Sequence, residues 1–323
     1  MKKKISIIIP AYNSELTLSR CLNSLVEQTN KDFEVVIVDD GSIDKTYEII
    51  SSFFLKLDIR YYYQKNSGVS AARNLGIEMS NSEYLCFLDA DDYYEPNFIE
   101  EFLLAINPKY DIYIGEYNVI GNNKFYNDKY ILNNLPIEGE CSIIIENMIK
   151  LHNKIIGNIW RCLFKKDIIQ KNNIYFENIR FGEDNLFLIR YLSASKFYFV
   201  IKRQIYNYVV NDLSVTNNYI ANLDRDLLYR KEEVIKLLRP LKIKNINEKI
   251  YLCSSIPVIF RNECRSNKKI KEIRLHIRKL YNKNKLKFYE LRYFSFFDKI
   301  ILLSIKLHID FLLINYFKFK NRN

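Results

Sequence analysis

The sequence predicts an α/β fold: an open, mostly parallel sheet flanked by helices, followed by an all-helical C-terminal region. Residues 5–9 (ISIII) and 33–38 (FEVVIV) are short β-branched runs bounded by turn residues, which is typical of buried parallel strands. Apolar residues between these runs recur at helical spacing, and such alternation indicates βαβ units with right-handed crossovers. After residue 224 the helical pattern continues to the end of the chain.

In chain order, the predicted strands of the first hundred residues are 5–9, 33–38, about 59–64 and 84–88. The first helix is predicted from Leu16, Leu18, Cys21, Leu22 and Leu25. The helix over 68–80 has Ser67 as its predicted N-cap. Short strands and loops are expected over 109–135, helices over 138–151, 165–172 and 183–195, and short strands at about 197–208. The C-terminal helices are predicted at 224–239, 246–264, 268–283 and 288–318.

The net charge of +11 is concentrated in one part of the chain. Residues 1–220 hold 24 Lys and Arg against 28 Asp and Glu, whereas residues 221–323 hold 25 against 10. This asymmetry excludes a uniformly basic protein and predicts a boundary near 215–225. Apolar residues make up 48% of the chain, with only 8 Gly and 6 Pro, which excludes a disordered or collagen-like protein.

Cysteine spacing indicates the cellular compartment of the protein, and hydropathy indicates whether the chain contains a membrane-spanning helix. The six cysteines are scattered without a CxxC pair, which predicts buried free thiols in a reducing cytosol and no disulfide framework. No stretch reaches the ~18–20 uncharged apolar residues of a membrane-spanning helix. Residues 294–317 come closest, but charged residues interrupt them.

Four loops follow predicted strands: residues 10–14, 39–44, 65–68 and 89–92. Ligands of open parallel sheets bind beyond the carboxyl ends of the strands, so these loops are expected to surround a site. The third loop leads into a predicted helix in which Arg73 lies about one turn from the start. A guanidinium there can contact a phosphate or brace nearby carboxylates; a surface arginine is the alternative.

Carboxylates are concentrated in two of the four loops. Asp39 and Asp40 end the second strand, where they can accept hydrogen bonds from a ribose hydroxyl or a base N–H; alternatively, one of them caps the following helix. Asp89, Asp91 and Asp92 end the fourth strand and repel one another, so burying them requires a cation. Oxygen ligands favour Mg²⁺ or Mn²⁺, which could bridge to a diphosphate; a solvated acidic loop is the alternative.

Four segments together resemble the family 2 inverting glycosyltransferases, which share the Rossmann-like GT-A fold. They are Ile7–Asn13 (IIIPAYN), Val38–Ser42 (VDDGS), Asn66–Gly68 with Ala72–Asn74 (NSG and ARN), and Leu88–Asp92 (LDADD). They stand in the family's order and at similar spacing over residues 5–100. The resemblance is to enzymes of bacterial capsule and cell-surface polysaccharide synthesis, and it implies a UDP-sugar donor.

The resemblance implies roles for individual residues. Asp89, Ala90 and Asp91 match the family's DxD motif, so Asp91 is expected to bind Mn²⁺ or Mg²⁺ and Asp89 to contact a ribose or the metal. Of the adjacent Asp39 and Asp40, the resemblance favours Asp40 as the uracil or ribose ligand. The expected uridine pocket comprises Pro10, Ala11, Tyr12, Asp40, Asn66 and Arg73.

A looser resemblance continues to about residue 216. Phe181–Phe187 (FGEDNLF) matches the family's Glu-Asp motif, so the expected catalytic pair is Glu183 and Asp184, with Asp184 as the base. Alternatively, the two carboxylates only favour the dipole of a helix N-terminus.

Two further segments extend this looser resemblance. Ile159–Lys166 is similar to a stretch of polysaccharide enzymes of the family, and Cys162 stands where they have a lysine. Tyr206–Tyr208 and Ser214–Thr216 resemble the segment that closes the family's active-site domain.

The expected activity is inverting transfer of a sugar from a UDP-sugar to a hydroxyl of a glycan or lipid-linked glycan. The expected domains are a catalytic domain over 1–220, with a nucleotide-binding half at about 1–107 and an acceptor half at about 108–220, and a basic helical region over 221–323. A nucleotidyltransferase on a related fold is the alternative, although residues 10–14 (PAYNS) lack a Gly-rich phosphate loop. A basic nucleic-acid-binding protein is a further alternative, without an RNA motif, zinc spacing or helix-turn-helix signal to support it.

The basic C-terminal region indicates a surface partner. Ile270, Ile273, Ile277 and Leu280 form one apolar stripe among many basic residues. Because a basic amphipathic region can lie on an anionic membrane, we expect a cytoplasmic protein whose residues 261–319 contact the inner face of the cytoplasmic membrane. The alternative is a helical bundle packed on the catalytic domain or on a second subunit, which would give a homo-oligomer.

Overall fold

The structure is a computed structural model that describes residues 3–121, 124–127, 135–150, 158–210, 219–240, 248–283 and 286–320. The described residues divide into two units. The first unit takes those of Met1–Met148, Lys154–Ile179 and Glu183–Asn211, and the second those of Ile149–Asn153, Arg180–Gly182 and Asp212–Asn323.

The first unit is built on one mixed sheet. Its described strands are β1 (Ile5–Ala11), β2 (Phe33–Asp39), β3 (Ile59–Tyr63), β4 (Tyr84–Phe87), β5 (Tyr93–Tyr94), β6 (Ile112–Gly121), β7 (Lys124–Asn127), β8 (Glu138–Glu140), β9 (Cys162–Lys165) and β10 (Phe197–Val209). They are ordered β3-β2-β1-β4-β9-β6-β10-β5, with β7 beside β6 and β8 beside β10. The first four strands are parallel, and β9 joins β4 to β6 by antiparallel pairing on both sides. The predicted fold class is confirmed.

In chain order, seven helices before residue 211 lie between the described strands of this sheet. They are α1 (Leu18–Val26), α2 (Thr46–Ser51), α3 (Val69–Met79), α4 (Phe98–Ala105), α5 (Cys141–Lys150), α6 (Lys166–Lys171) and α7 (Glu183–Ser193), with a 3₁₀ turn over Ile159–Arg161. In α1, four predicted core residues are buried, but Leu16 precedes the helix and is exposed.

Burial explains why the parallel strands form where the sequence is predominantly apolar. Every residue of β2 is buried, and Pro10 is the one residue of β1 that is not. On one face of β1, α3 approaches so closely that a Cβ on Gly76 would lie 2.3 Å from Cγ2 of Ile8. Glycine at position 76 therefore lets α3 lie against the sheet, which fixes the position of Arg73 on the same helix.

The second unit is helical in its described part. Its helices are α8 (Leu223–Leu238), α9 (Glu248–Cys253), α10 (Ile256–Arg265), α11 (Ile270–Lys283), α12 (Phe296–Lys306) and α13 (Asp310–Lys320), with a 3₁₀ turn over Phe288–Tyr293. The predicted stripe of α11 packs into the core of this unit, where Ile273 and Ile277 are fully buried. This stripe is therefore an internal surface of the helical unit.

Two of the predicted C-terminal helices were too long. The prediction of one helix over 246–264 is wrong, because Ser255 and Pro257 begin a new helix after Cys253. The prediction of one helix over 288–318 is also wrong. Ser295 caps α12 by accepting the N–H of Asp298, and the left-handed backbone of His308 (φ 62°) separates α12 from α13.

Other elements differ from prediction where tertiary pairing decides the structure. Residues 138–140 are a strand paired to β10, so the helix predicted from 138 begins at Cys141. Residues 112–121, predicted as short strands and loops, are one ten-residue strand inside the sheet, and 197–209 is one strand of thirteen residues. Residues 122–123 and 128–134 of the predicted 109–135 segment lie outside the described residues. The N-cap of α3 is Gly68, not Ser67.

Two sequence predictions concern the cysteines and membrane-spanning helices. All six cysteines are buried and carry free thiols. Among the described helices, none combines the length and the apolar character that a transmembrane span requires.

Candidate active site

The loops after β1 and β2 are joined to each other by side-chain to backbone hydrogen bonds. Asn13, whose φ of 47° is left-handed, donates its N–H to Oγ of Ser42 (2.9 Å) and accepts the N–H of Ile43 (2.9 Å). Ser14 donates its N–H to Oγ1 of Thr46 (2.8 Å). The two loops therefore form one rigid rim at the carboxyl edge of the sheet.

The predicted pocket residues of β1 lie at this rim. Pro10 and Ala11 stand opposite Val38 and Asp39 in the parallel register, and Ala11 is buried. Tyr12 follows with its side chain 51% exposed. The tyrosine ring is thus presented to a ligand, while the alanine leaves room for one at the end of the strand.

Asp39 and Asp40 are both buried, with different partners. Asp39 accepts the N–H of Ser42 (2.8 Å) and the hydroxyl of Tyr61 (3.0 Å). Asp40 accepts hydrogen bonds from Nε2 of Gln64 (2.6 Å) and from two backbone N–H groups that precede α3 (2.8 Å each). Neither carboxylate caps α2, whose first residue, Thr46, donates its N–H to Asp44 (3.0 Å).

The loop before α3 is shaped by two glycines in the left-handed region. Gly41 (φ 81°) packs against Asn66, because a Cβ at Gly41 would lie 2.8 Å from the backbone nitrogen of Asn66. Gly68 (φ 90°) donates its N–H to Asp40. Asn66 itself is exposed. Asp40 and these glycines thus hold the exposed Asn66 at the same edge as Tyr12.

Arg73 joins two motifs that are far apart in the sequence. Its Nη2 donates to Oδ1 of Asp89 (3.0 Å), and its Nη1 donates to Oε1 of Glu183 (3.0 Å). The side chain is 7% exposed, and its guanidinium lies over the ring of Phe176. Burial alone would lower the pKa of Arg73, but the charges of Asp89 and Glu183 outweigh it and raise that pKa. The alternative of a surface arginine is wrong.

Asp184 lies beside Glu183 in the first turn of α7, in a setting that favours its neutral form. Withdrawal from water, and then the charge of Glu183, raise the pKa of Asp184 to about 7, although Arg73 opposes the shift. Its Oδ1 accepts the N–H of Asn185 (2.7 Å). A carboxyl with a pKa near neutrality can exchange a proton with a reacting group.

The three carboxylates after β4 have distinct surroundings. Burial, and then the charge of Asp89, raise the pKa of Asp91 and raise that of Asp92 to about 8. Asp92 accepts the hydroxyl of Tyr206 (2.6 Å) and the N–H of Val209 (2.7 Å), so it fastens this turn to β10. Asp89 and Asp91, in contrast, are only partly buried. The alternative of a solvated acidic loop therefore fails for Asp92.

The donor set of this turn fits a divalent cation. Besides burial, the charge of Asp89 raises the pKa of Asp91 and that of Asp92, so negative charge accumulates at this turn. Within the described ranges, no three His, Cys, Asp or Glu side chains are arranged to hold a metal by themselves. Mg²⁺ is commonly held by one or two carboxylates, with substrate phosphates and water completing its shell. Asp91 and Asp89 fit a metal of this kind.

Sequence reasoning missed an aromatic group beside the site. The ring of Trp160 stacks on those of Tyr206 (centroids 4.2 Å apart) and Tyr208 (5.7 Å), and Tyr117 meets it edge-on (4.8 Å). The resemblance around Trp160 and Tyr206 was the available signal, but it carries no pairing information. Cys162 is fully buried, and burial raises the pKa of its thiol to about 12. The predicted Ser214–Thr216 segment lies outside the described residues.

Known families and structures decide the class of this protein. The model of glycosyl transferase family 2 matches residues 6–179, more than half of the chain. The chain belongs to glycosyl transferase family 2. The match spans the strand-end loops, Arg73 and the Asp89–Asp92 turn, and the predicted family and enzyme class, a glycosyltransferase, are confirmed.

Two bacterial proteins are among the relatives of this family 2 glycosyltransferase. The uncharacterized glycosyltransferase EpsJ of Bacillus subtilis strain 168 is 28% identical over 85% of this chain and 83% of its own length. Poly(ribitol-phosphate) beta-N-acetylglucosaminyltransferase TarP of Staphylococcus aureus strain N315 is 33% identical over 68% of this chain and 67% of its own.

A solved structure confirms the predicted GT-A fold of the family 2 chain. The crystal structure of S. aureus TarS residues 1–349 in complex with UDP-GlcNAc superposes with a TM-score of 0.70. The match covers 99% of this chain and 91% of that chain at 18% identity. At this identity the similarity concerns the fold alone.

Proposed function

We propose that this glycosyltransferase moves a sugar, with inversion, from a UDP-sugar to a hydroxyl of a glycan or lipid-linked glycan in cell-surface polysaccharide synthesis. The observation that carries the proposal is Asp184. Its pKa is raised to about 7, and its neighbour Glu183 is tied through Arg73 to Asp89 at the end of β4. The proposed proton acceptor is thus adjacent in sequence to a residue that is ion-paired to the edge of the sheet where a nucleotide would bind.

The donor half of the proposal rests on the rim of the sheet. Tyr12 and Asn66 are exposed there, and the buried Asp39 and Asp40 hold the loops that carry them. Asp40 remains the proposed uracil or ribose ligand, through lone pairs beyond its three protein hydrogen bonds. The TarS structure is described as a complex with UDP-GlcNAc, which supports a UDP-sugar as the donor.

The acceptor half of the proposal rests on Asp184 and on the aromatic side chains around Trp160. Asp184 lies in the first turn of α7, and of the rings packed around the buried Trp160 in the same unit, that of Tyr208 is partly exposed. The name of TarP, a poly(ribitol-phosphate) beta-N-acetylglucosaminyltransferase, supports a polymer hydroxyl as the acceptor. We propose residues 1–220 as the catalytic domain, with halves at about 1–107 and 108–220, and residues 221–323 as a separate basic region.

Asp91, with Asp89, is the proposed holder of Mn²⁺ or Mg²⁺. When bound, such an ion would offset the charge that develops on a diphosphate leaving group. The residues of the chain contribute to the same end: Arg73 neutralises Asp89, and Asp92 fixes the turn to β10. The turn is therefore held in place before a nucleotide arrives.

Proton transfer in the proposed reaction is carried by Asp184. The acceptor hydroxyl gives its proton to the carboxylate while its oxygen forms a bond to the anomeric carbon. The bond from that carbon to UDP breaks on the opposite face, and UDP leaves with the bonding electrons. With a pKa of about 7, Asp184 is both substantially ionised at neutral pH and basic enough to accept the proton.

A screen of UDP-sugars tests the proposed reaction. The purified protein is incubated with each donor and with lipid-linked or polymeric glycans, and UDP is measured; a parallel incubation with UTP and sugar 1-phosphates is assayed for pyrophosphate. We expect UDP release with at least one donor and no pyrophosphate. Pyrophosphate release would indicate the nucleotidyltransferase alternative instead and would contradict the proposal.

The metal assignment predicts the behaviour of Asp91→Ala. We expect this variant to lose the part of UDP affinity that EDTA removes from the wild type, because the carboxylate that holds the ion is gone. Isothermal titration of UDP, with and without EDTA, measures this difference. Arg20→Met is the control, since Arg20 donates to the backbone oxygen of Asp91 (2.6 Å) and lies over the ring of Tyr93, and its replacement leaves the Asp91 carboxylate intact. UDP affinity that is insensitive to both EDTA and Asp91→Ala would contradict the assignment.

We also propose that the second unit binds an anionic membrane surface, which places the enzyme on the inner face of the cytoplasmic membrane. The stripe of α11 is internal, but α12 and α13 expose other apolar side chains. On α12 Phe296 and Phe297 are each 72% exposed, and on α13 Tyr316 is 58% and Phe319 69% exposed. These aromatic rings stand among lysines such as Lys299 and Lys320, a pattern typical of interfacial helices.

Vesicle flotation tests the membrane proposal. We expect the protein to float with phosphatidylglycerol vesicles at low salt and much less with phosphatidylcholine vesicles, since the attraction is partly electrostatic. Combined Phe296→Ser and Phe297→Ser should reduce flotation, whereas Leu16→Ser, at a 92% exposed residue of the first unit, should not. Failure to float would overturn the membrane proposal, and self-association abolished by the same double variant would indicate a homo-oligomer instead.

A further inference from the structure

Asn74 follows Arg73 on α3, and its amide pairs with the backbone of one residue far away in the sequence. Nδ2 of Asn74 donates to the carbonyl oxygen of Phe176 (2.9 Å), and Oδ1 accepts the N–H of the same residue (2.8 Å). Two hydrogen bonds fix the orientation of this backbone as well as its distance. Through this one side chain, α3 therefore holds Phe176 in place.

The ring of Phe176 contacts three parts of the first unit. The guanidinium of Arg73 lies 5.4 Å from its centroid. The ring stacks on that of Phe187 of α7, with centroids 4.1 Å apart and planes inclined by 3°, and it meets the ring of Phe87 of β4 edge-on (5.3 Å). Phe176 is 2% exposed, and the other two rings are fully buried. The position that Asn74 gives to Phe176 is thereby passed to α7 and to the end of β4.

Helix α7 contacts the same segment through a second side chain. Nη2 of Arg190 donates to Oε1 of Glu177 (2.7 Å), the residue after the bonded phenylalanine. Glu183, Phe187 and Arg190 follow one another at intervals of four and three residues, so their side chains lie on one face of the helix. The face of α7 that carries Glu183 therefore packs against the segment that Asn74 holds.

The guanidinium of Arg73 must be oriented accurately, because its two terminal nitrogens serve different carboxylates. Nη1 lies 3.0 Å from an oxygen of Glu183, and Nη2 lies 3.0 Å from an oxygen of Asp89. Nε is buried and has no hydrogen-bond partner among the residues that the structure describes, so it does not help to orient the group. The ring of Phe176 does, since a guanidinium stacks well on an aromatic face.

We propose that Asn74 and Phe176 are positioning residues for the proposed base. They hold Arg73 in place and with it the first turn of α7, where Asp184 lies. All of these contacts lie within the first unit. This inference rests on the proposed function, in which Asp184 takes the acceptor proton. Small displacements of a reacting group slow catalysis strongly.

A double-mutant cycle tests whether Asn74 acts through Arg73. Asn74→Leu keeps the approximate size of the side chain but removes both hydrogen bonds, and we expect kcat/KM to fall by about fivefold to 50-fold. In an Arg73→Met background the same change should cost less than about twofold, because the arginine that it positions is gone. Two independent structural losses would multiply instead. Steady-state kinetics with the UDP-sugar and glycan that react fastest in the donor screen compare the four proteins.

Gln28→Leu is the matched control within the same unit. The amide of Gln28 also pairs with the backbone, donating to the carbonyl oxygen of Glu95 (2.7 Å) and accepting the N–H of Ile99 (3.0 Å), and the residue is 3% exposed. These bonds join the residues after α1 to α4, not α3 to α7. We expect Gln28→Leu to be destabilised about as much as Asn74→Leu in urea, but to change kcat/KM by less than about twofold in either background.

Hydrogen exchange followed by mass spectrometry gives a readout that does not depend on activity. Asn74→Leu should speed deuterium uptake in peptides that cover residues 183–190, because the start of α7 loses its support. Gln28→Leu should not. Should Asn74→Leu fail to fold, Phe176→Leu, which removes the ring beside Arg73 and stays apolar, is measured in its place with the same expectations.

The pH profile reports whether Arg73 has moved. Burial and the charges of Glu183 and Asp89 raise the pKa of Asp184, whereas the charge of Arg73 lowers it. If Arg73 moves away, the pKa of Asp184 rises, so the acid limb of kcat/KM should move to higher pH in Asn74→Leu. A loss of stability alone would leave the limb where it is.

The proposal is overturned if folded Asn74→Leu keeps the kcat/KM and the deuterium uptake of the wild type, or if its loss multiplies with that of Arg73→Met. Asp184→Asn is measured alongside. If Asp184→Asn itself retains transfer, the base assignment of the proposed function fails and not merely its positioning. If Asp184→Asn is inactive while Asn74→Leu is fully active, only the positioning role is wrong.

Discussion

The two units of this glycosyltransferase bury apolar residues in different ways. In the first, β1 and β2 are covered on both faces, and polar side chains gather where these strands end. In the second, each helix buries one side, and α12 and α13 leave aromatic rings such as Phe296 and Tyr316 in solvent. The first unit thus concentrates its chemistry at one edge, while the second presents a surface.

The carboxylates of the two units also have different surroundings. The first unit places Asp91, Asp92 and Asp184 where burial raises their pKa values. In the second unit, carboxylates are matched with cations: the fully buried Asp310 accepts hydrogen bonds from Arg274 and Arg278. Perturbed carboxylates are typical of catalytic sites, whereas matched pairs are typical of structural ones. Part of the positive charge of the C-terminal region is therefore structural.

The largest expected effect concerns the base in the first unit. We expect Asp184→Asn to lower kcat by about 10²–10⁴-fold, because an amide cannot accept the acceptor proton. UDP should still bind, since Asp184 lies on α7 and not in a strand-end loop. Single-turnover kinetics and UDP titration measure the two properties. Loss of UDP binding in a normally folded variant would show that Asp184 is not the base.

A smaller effect is expected for the arginine that joins the motifs. Arg73→Met leaves Asp89 and Glu183 without their shared cation, and losing hydrogen bonds to charged groups costs about 1.5–3 kcal/mol each. We expect kcat/KM to fall by about 10-fold to 100-fold in steady-state assays. Arg60→Met is the control, because Arg60 lies near the start of β3 and bonds to Tyr62 and Met79. Equal losses in both variants would mean that Arg73 acts only through stability.

The smallest effect is expected on the exposed face of the second unit. Phe296→Ser should change the free energy of unfolding by less than about 0.5 kcal/mol, because the ring is 72% exposed. On the opposite side of the same helix, Ile305→Ala should cost about 2–5 kcal/mol, since Ile305 is 2% exposed. Urea unfolding followed by circular dichroism compares them. Similar losses would show that Phe296 is part of a core.

The sequence predicts the sheet better than the helical unit for a physical reason. A strand buried on both faces is apolar at nearly every position, so segments such as 33–38 and 84–88 can be predicted without reference to the rest of the chain. Helix ends depend on local capping instead. Pro257 in the first turn of α10, the cap at Ser295 and the left-handed His308 divide segments whose apolar pattern continues unbroken. The pattern alone could not locate those breaks.

The candidate site shows the same limit. The residues at strand ends could be named from their order, but their partners could not. Arg73 bridges Asp89 and Glu183, and Glu183 lies 110 residues after Arg73 in the chain. This bridge depends on how α3, β4 and α7 pack. The contrast between Asp92, bound to Tyr206, and the more accessible Asp91 likewise depends on β10. Such pairings arise from tertiary structure and leave no local signal in the chain.

The pH dependence of kcat/KM tests the central claim most directly. The raised pKa of Asp184, about 7, means that the carboxylate is neutral below this pH and ionised above it. Activity should therefore fall about tenfold for each pH unit below about 7, while the Kd for UDP stays nearly constant. Glu183→Gln should shift the limb to lower pH, because the charge of Glu183 raises the pKa of Asp184. A kcat/KM that stays constant down to about pH 5 would contradict the assignment of Asp184 as the base.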